Sequence, residues 1–178
     1  MTMKINITPL LQNVISHDWQ VMDQLSDDVA PLGANGRLDN TMTDLLVSLS
    51  STAAADGWFA KVNQSATEQA AVDHQQLLEH YCQTVNDFLL WSAKRQWTHL
   101  VVLSDDDWQR LTSADRATKV VDKNKEYLAI VRLLGDVQFS HQHEAFSHAW
   151  HLFLKMGLVD WQLTPDEISE TCKELLKM

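Results

Sequence analysis

"DHQQLLEHYCQTVNDFLLWSAKRQW", residues 73–97, carries the clearest helical signature in the chain. Leu77, Leu78, Tyr81, Val85, Phe88 and Leu89 recur at the three-to-four-residue spacing that lines one face of an α-helix. No Gly or Pro interrupts the run. Upstream, Ser65 and Glu68 match a capping box, so the pattern predicts one helix over residues 66–97.

The neighbouring segments extend the same reading. In "TPLLQNV" Thr8 is placed to cap and Pro9 suits a first helical position, and Leu11, Val14, Ile15, Met22 and Leu25 share a face. This predicts a helix over 8–29. "APLGANGRLDN", residues 30–40, reads as a loop, and a second helix is expected over 41–62. "THLVVLSDDDW", from Thr98, reads as a connector, with a short helix at Ser104–Leu111 whose acidic run is a solvated helix start. The stretch from Lys125 to Gly157 looks helical, its long helix over 137–156, with Gly157 as the stop and Gly135 as the candidate interruption. Thr164, Pro165 and Glu167 signal a short final helix. With only five Gly and three Pro, the chain reads as all-α: a four-helix bundle with a short additional C-terminal helix, one domain over 1–178.

Composition narrows the function classes. A chain of 178 residues, 45% hydrophobic with seven Trp, can bury a core without disulfides or metal. Its formal net charge of −10 disfavours nucleic acid and anionic membranes as partners, since both need a Lys/Arg excess. Cys82 and Cys172 lie in no CxxC spacing and read as reduced thiols without a catalytic role. The first residues show no signal-peptide pattern, and no run approaches eighteen apolar residues, so a cytoplasmic protein is expected. The Trp residues share no period and read mostly as core or loop anchors. There is no phosphate loop, GxSxG, HExxH or ExxH motif.

Chemistry concentrates in "HQHEAFSHAWH", residues 141–151, with four of the eight histidines. On a continuous helix His141, Glu144, His148 and His151 fall within about 80° of one another, while His143 points elsewhere. Imidazole and carboxylate suit zinc, nickel or iron, but one helix normally supplies two ligands and another element must complete the set. The alternative is a solvated polar face, and Lys155 on the same arc favours it. Three further polar residues interrupt apolar stripes: Asp18, Asp56 and His74. Each has a local explanation at a helix end or as a satisfied core group; together they suggest a polar pocket inside the bundle.

Two stretches, "TMTDLLVSLSSTAAADGWF" (41–59) and "LLGDVQFSHQHEAFSHAWHLFLKMGL" (133–158), resemble the DinB/YfiT-like superfamily of bacterial four-helix bundles. The resemblance covers most of the chain. It implies a bundle, and for members with a full site a metal held by three histidines and a hydrolase or thiol-transferase activity. Ser48 stands where the family's second-helix histidine would be. Anchoring the late motif on Gly157 puts His141 first and Ala145 second, and anchoring it on His143 puts Ser147 second. Two readings follow. One is a divergent metal-dependent enzyme in which His141 and His148 hold the ion, Glu144 is third ligand or base to a bound water, and His74 is the candidate partner from another helix. The other is a non-catalytic relative that binds a small molecule or forms a homodimer.

Overall fold

The computed structural model describes residues 4–24, 33–65 and 71–177. The described residues are all-helical, with no strand and seven α-helices: α1 (Ile7–Gln24), α2 (Gly33–Asp56), α3 (His74–Lys94), α4 (Asp105–Thr112), α5 (Val120–Ser140), α6 (His143–Lys155) and α7 (Pro165–Leu175). None of these helices is long and apolar enough to cross a membrane.

The stripe on α3 is the centre of the fold, as its periodicity predicts. Tyr81, Cys82, Val85, Phe88, Leu89 and Trp91 are all at most 1% exposed. α3 packs on α2, α1 and α7. Against α6 the meeting is aromatic: Tyr81 stacks on Phe153 at 4.7 Å, Phe88 lies 5.3 Å from Phe153 and 5.4 Å from Trp150, and Trp91 lies 4.9 Å from Phe146. Each such ring buried contributes roughly 1.5–3 kcal/mol, so this seam is a main stabilising element of the core. Of the tryptophans, Trp19 departs from the expected anchoring and is 68% exposed.

Several boundaries differ from the sequence reading, each for a local reason. Asn6 rather than Thr8 serves the start of α1: its Oδ1 accepts the Thr8 N–H at 3.3 Å. Residues 25–29 of the expected first helix lie outside the described residues. α2 begins at Gly33, so part of the expected loop over 30–40 is helix; it stops at Gly57, whose φ of +64° ends the helix at no steric cost, and Ala60–Asn63 forms a separate 3-10 turn. α3 begins at His74 because Asp73 caps it, accepting the Gln76 N–H at 3.1 Å; Glu68 of the expected box lies outside the described residues. The connector at Thr98 is present as a 3-10 turn, and Ser104 and Asp107 close a reciprocal capping box at the start of α4. Thr164 caps α7 with Pro165 following, as read from the sequence.

The largest correction falls on 137–156. The predicted single helix is two helices, α5 and α6, broken at His141, which takes the left-handed conformation with φ +52°. Gly135 does not interrupt α5. Gly157 does not stop α6 either: a π-helical turn, Met156–Asp160, continues it, closed by Trp161 N–H to Met156 C=O at 2.9 Å. A Cβ on Gly157 would fall 2.2 Å from Tyr81 Cζ, so glycine is required there by close packing.

Candidate functional site

A groove of about 530 Å³ runs between α4 and α6. α4 supplies Asp107, Arg110 and Leu111; α6 supplies Ser147, His148, His151, Leu152 and Lys155. The α6 residues fall at i, i+1, i+4, i+5 and i+8, the spacing that keeps side chains on one helical face.

Asp107 is held at the base of α4 by its cap. Its Oδ2 accepts from Ser104 Oγ at 2.6 Å and Ser104 N at 3.1 Å, and its Oδ1 accepts from Arg110 at 2.6 Å. The Ser104 hydroxyl, then the Ser104 N–H, hold the carboxyl below its ordinary range. It therefore remains an anion, and Arg110, largely exposed, stands beside it at the mouth of the groove.

His151 is the distinctive group. Its Nδ1 lies 2.8 Å from the Ser147 carbonyl oxygen, which only accepts, so Nδ1 carries the proton in that bond. The neutral ring then has a bare lone pair on Nε2. That atom is buried and has no partner among the described residues. Orphaned buried acceptors are uncommon because each forfeits a hydrogen bond it had in water.

At the far end of the groove Lys155 is buried rather than solvated. Its Nζ donates to Glu126 Oε1 at 2.5 Å and to Asp160 Oδ1 at 2.7 Å. On an α-helix residues five apart lie about 140° from each other; the wider π turn brings Asp160 back to Lys155. Asp160 is further tied by the Ala117 N–H at 2.7 Å, and its carbonyl accepts from Arg116 Nε at 3.0 Å. The second oxygens, Glu126 Oε2 and Asp160 Oδ2, both lack a donor among the described residues, and a proton on Glu126 would supply one toward the Asp160 carboxyl beside it. Burial first, and the Asp160 carboxyl second, push Glu126 up to about 7, so that proton is present near neutrality. Glu126 also lines a second hollow, of about 290 Å³, with Arg116 and Lys125.

The residues singled out from sequence are distributed differently from expectation. His148 and His151 share the groove. His141 does not join them: the helix break turns it to the end of α3, where its Nδ1 meets the Arg95 guanidinium. His143 rests against Trp97, ring centroids 4.0 Å apart. Glu144 is exposed in the first turn of α6. His74 is the first residue of α3, largely exposed and 3.0 Å from Glu167, not inward as expected. Since Arg95 caps the other end of that helix, His74 and His141 stand about 30 Å apart along it. His141, His148, His74 and Glu144 are therefore not one ligand set. Among the described residues no three His, Cys, Asp or Glu side chains converge to hold a metal ion.

Asp18 and Asp56 do not share a pocket. Asp18 takes a two-oxygen bond from Lys94, at 2.9 and 2.8 Å, near the C-terminal end of α3. Asp56, buried at the end of α2, accepts from Lys123 at 2.6 Å and Trp161 Nε1 at 3.1 Å, fastening α2 to α5 and to the chain beyond α6. The sequence reading missed Asp87. It is 8% exposed, accepts from Gln83 at 3.1 Å with the Ser48 hydroxyl beside it, and is pushed up to about 6, chiefly by burial. Asp107, Arg110, Glu126 and Asp160 were missed as well; apart from the Asp107 cap, their significance is tertiary and leaves no mark in helical spacing.

No family model, curated protein or solved structure matches the chain.

Proposed function

We propose that this protein is a metal-independent relative of the DinB/YfiT-like bundles that binds a small, polar, anionic molecule in the groove between α4 and α6. The observation that carries the reading is His151, a residue lining the groove whose buried Nε2 has no hydrogen-bond partner among the described residues. A hydroxyl or N–H of a ligand would complete it. Arg110 and His148 at the mouth supply positive or donating groups for a carboxylate or phosphate, and Leu111 and Leu152 supply an apolar wall. The groove's cations are paired, Arg110 with Asp107 and Lys155 with Glu126 and Asp160, so an anion would be held by the remaining Arg110 donors and the imidazoles, not by a net positive field.

The all-helical build supports the DinB-like reading, with α1, α2, α3 and α5 as its long helices in place of the expected 137–156, which the break at His141 divides. Ser48, at the family's second-helix ligand position, donates to the Leu45 carbonyl at 3.1 Å and lies beside Asp87, which supports a site displaced from the usual metal position. The test is a thermal-shift and calorimetric titration with inorganic phosphate and with short hydroxycarboxylates, lactate and malate, on wild type, Arg110→Ala and His151→Ala. Saturable binding weakened at least tenfold by both substitutions is expected. Absence of binding by every probe, or binding indifferent to both substitutions, contradicts the proposal.

A further inference from the structure

The two cysteines, 90 positions apart in sequence, meet in the core between α3 and α7. Both are fully buried. Cys172 Sγ donates to the Cys82 carbonyl oxygen at 3.8 Å, Cys82 Sγ donates to the Ile168 carbonyl oxygen at 3.6 Å, and the Cys172 side chain lies beside the Cys82 thiol. No third sulfur exists in the chain's cysteine complement, so each thiol has one intramolecular redox partner. From this juxtaposition we propose that Cys82 and Cys172 form a reversible disulfide that clamps α7 onto α3 when a small-molecule disulfide such as oxidised glutathione is the oxidant.

The closed core protects both thiols, and the adjoining Cys172 side chain first, then burial, hold Cys82 in its protonated form, which is unreactive. Exchange therefore requires α7, an 11-residue helix, to lift from α3. In the opened form one cysteine loses its proton and attacks the glutathione disulfide. An S–S bond forms to the protein sulfur, and one glutathione leaves as thiolate and takes up a proton. The adduct has no room between α3 and α7, so re-docking brings the second cysteine onto the mixed disulfide. That cysteine loses its proton, the protein disulfide forms, and the second glutathione departs as a thiol. Two protein thiols are oxidised and one glutathione disulfide is reduced to two thiols. A bridge enclosing so long a loop restricts the unfolded chain strongly and stabilises the folded one.

The experiment uses the full chain, reduced, desalted and incubated with oxidised glutathione at increasing temperature below its unfolding midpoint. Intact mass, thiol titration and the unfolding midpoint are followed. The expected product has lost the mass of two hydrogens, has no titratable thiol, unfolds at a higher temperature and returns to the starting state with dithiothreitol. Its formation should accelerate with the opening of α7 followed by amide hydrogen exchange. Cys172→Ala should give no such product. Wild type itself keeps the test decisive if that variant fails to fold. Stable glutathione adducts, disulfide-linked dimers, or two unreacted thiols after α7 amides have exchanged would each overturn the proposal.

Discussion

Lys155 illustrates how a single residue can be misread from its position on a helical wheel. Its place beside His148 and His151 on a continuous α-helix reads as a solvated face, because 3.6-residue spacing shows no counter-ion. The π turn supplies Asp160, α5 supplies Glu126, and the ammonium is enclosed by two carboxyls. Replacing it with Met leaves those carboxyls without their cation, so Lys155→Met should cost about 3 kcal/mol or more in chemical denaturation. Gly157 is constrained by packing: Gly157→Ala should cost roughly 1–3 kcal/mol, because the Tyr81 ring cannot withdraw from a filled core. Unchanged stability in either variant would refute the packing described. Glu126 adds a pH dependence whose sign is fixed. Its folded-state value, about 7, lies above the ordinary 4.5, so the folded protein holds a proton that the unfolded chain releases. That contribution is complete below about 4.5, declines as pH rises, and is gone above about 7. Asp87, raised to about 6, acts in the same direction over a narrower interval. Glu126→Gln should therefore flatten the loss of thermal stability between pH 5 and 7.5 by roughly the share this one group contributes; an unchanged slope would remove the Glu126 proton from the account.

Among the elements, α3, α4 and α7 were legible because their signals are local: an unbroken apolar stripe, a Ser-Asp box, a Thr-Pro start. The separation of α5 from α6 was not. Apolar residues on both sides of His141 keep helical spacing, and the left-handed residue that breaks the helix is a histidine, whereas glycine is the usual signal. Gly135 and Gly157 drew the attention that His141 required. For the same reason the stripe from His141 to His151 divided: His148 and His151 stayed together, and His141 was carried to Arg95. Substitution reverses sign according to which description holds. In a left-handed turn His141→Gly should be more stable than His141→Ala by about 1 kcal/mol; in a continuous helix the Ala variant would be more stable by a similar amount. Paired thermal melts of the two variants decide it.

For the whole molecule, the packing of α6 against both α3 and α4 creates the functional candidate. The aromatic seam with α3 fixes one face of α6, and its opposite polar face turns toward α4 to make the groove. From sequence one side of that groove was visible as histidines at helical spacing, but the residues facing them were not, since nothing local joins Asp107 and Arg110 to His148 and His151. The central claim is that His151 presents a bare Nε2 to a ligand. Long-range proton–nitrogen NMR of imidazole-labelled protein, before and after addition of malate or phosphate, tests it most directly. The account predicts that His151 in the free protein carries a proton on Nδ1, and that Nε2 shifts saturably when a binding probe is added while His74 and His143 stay unchanged. A proton on Nε2 in the free protein, or a His151 signal unmoved by a probe that binds, would contradict it.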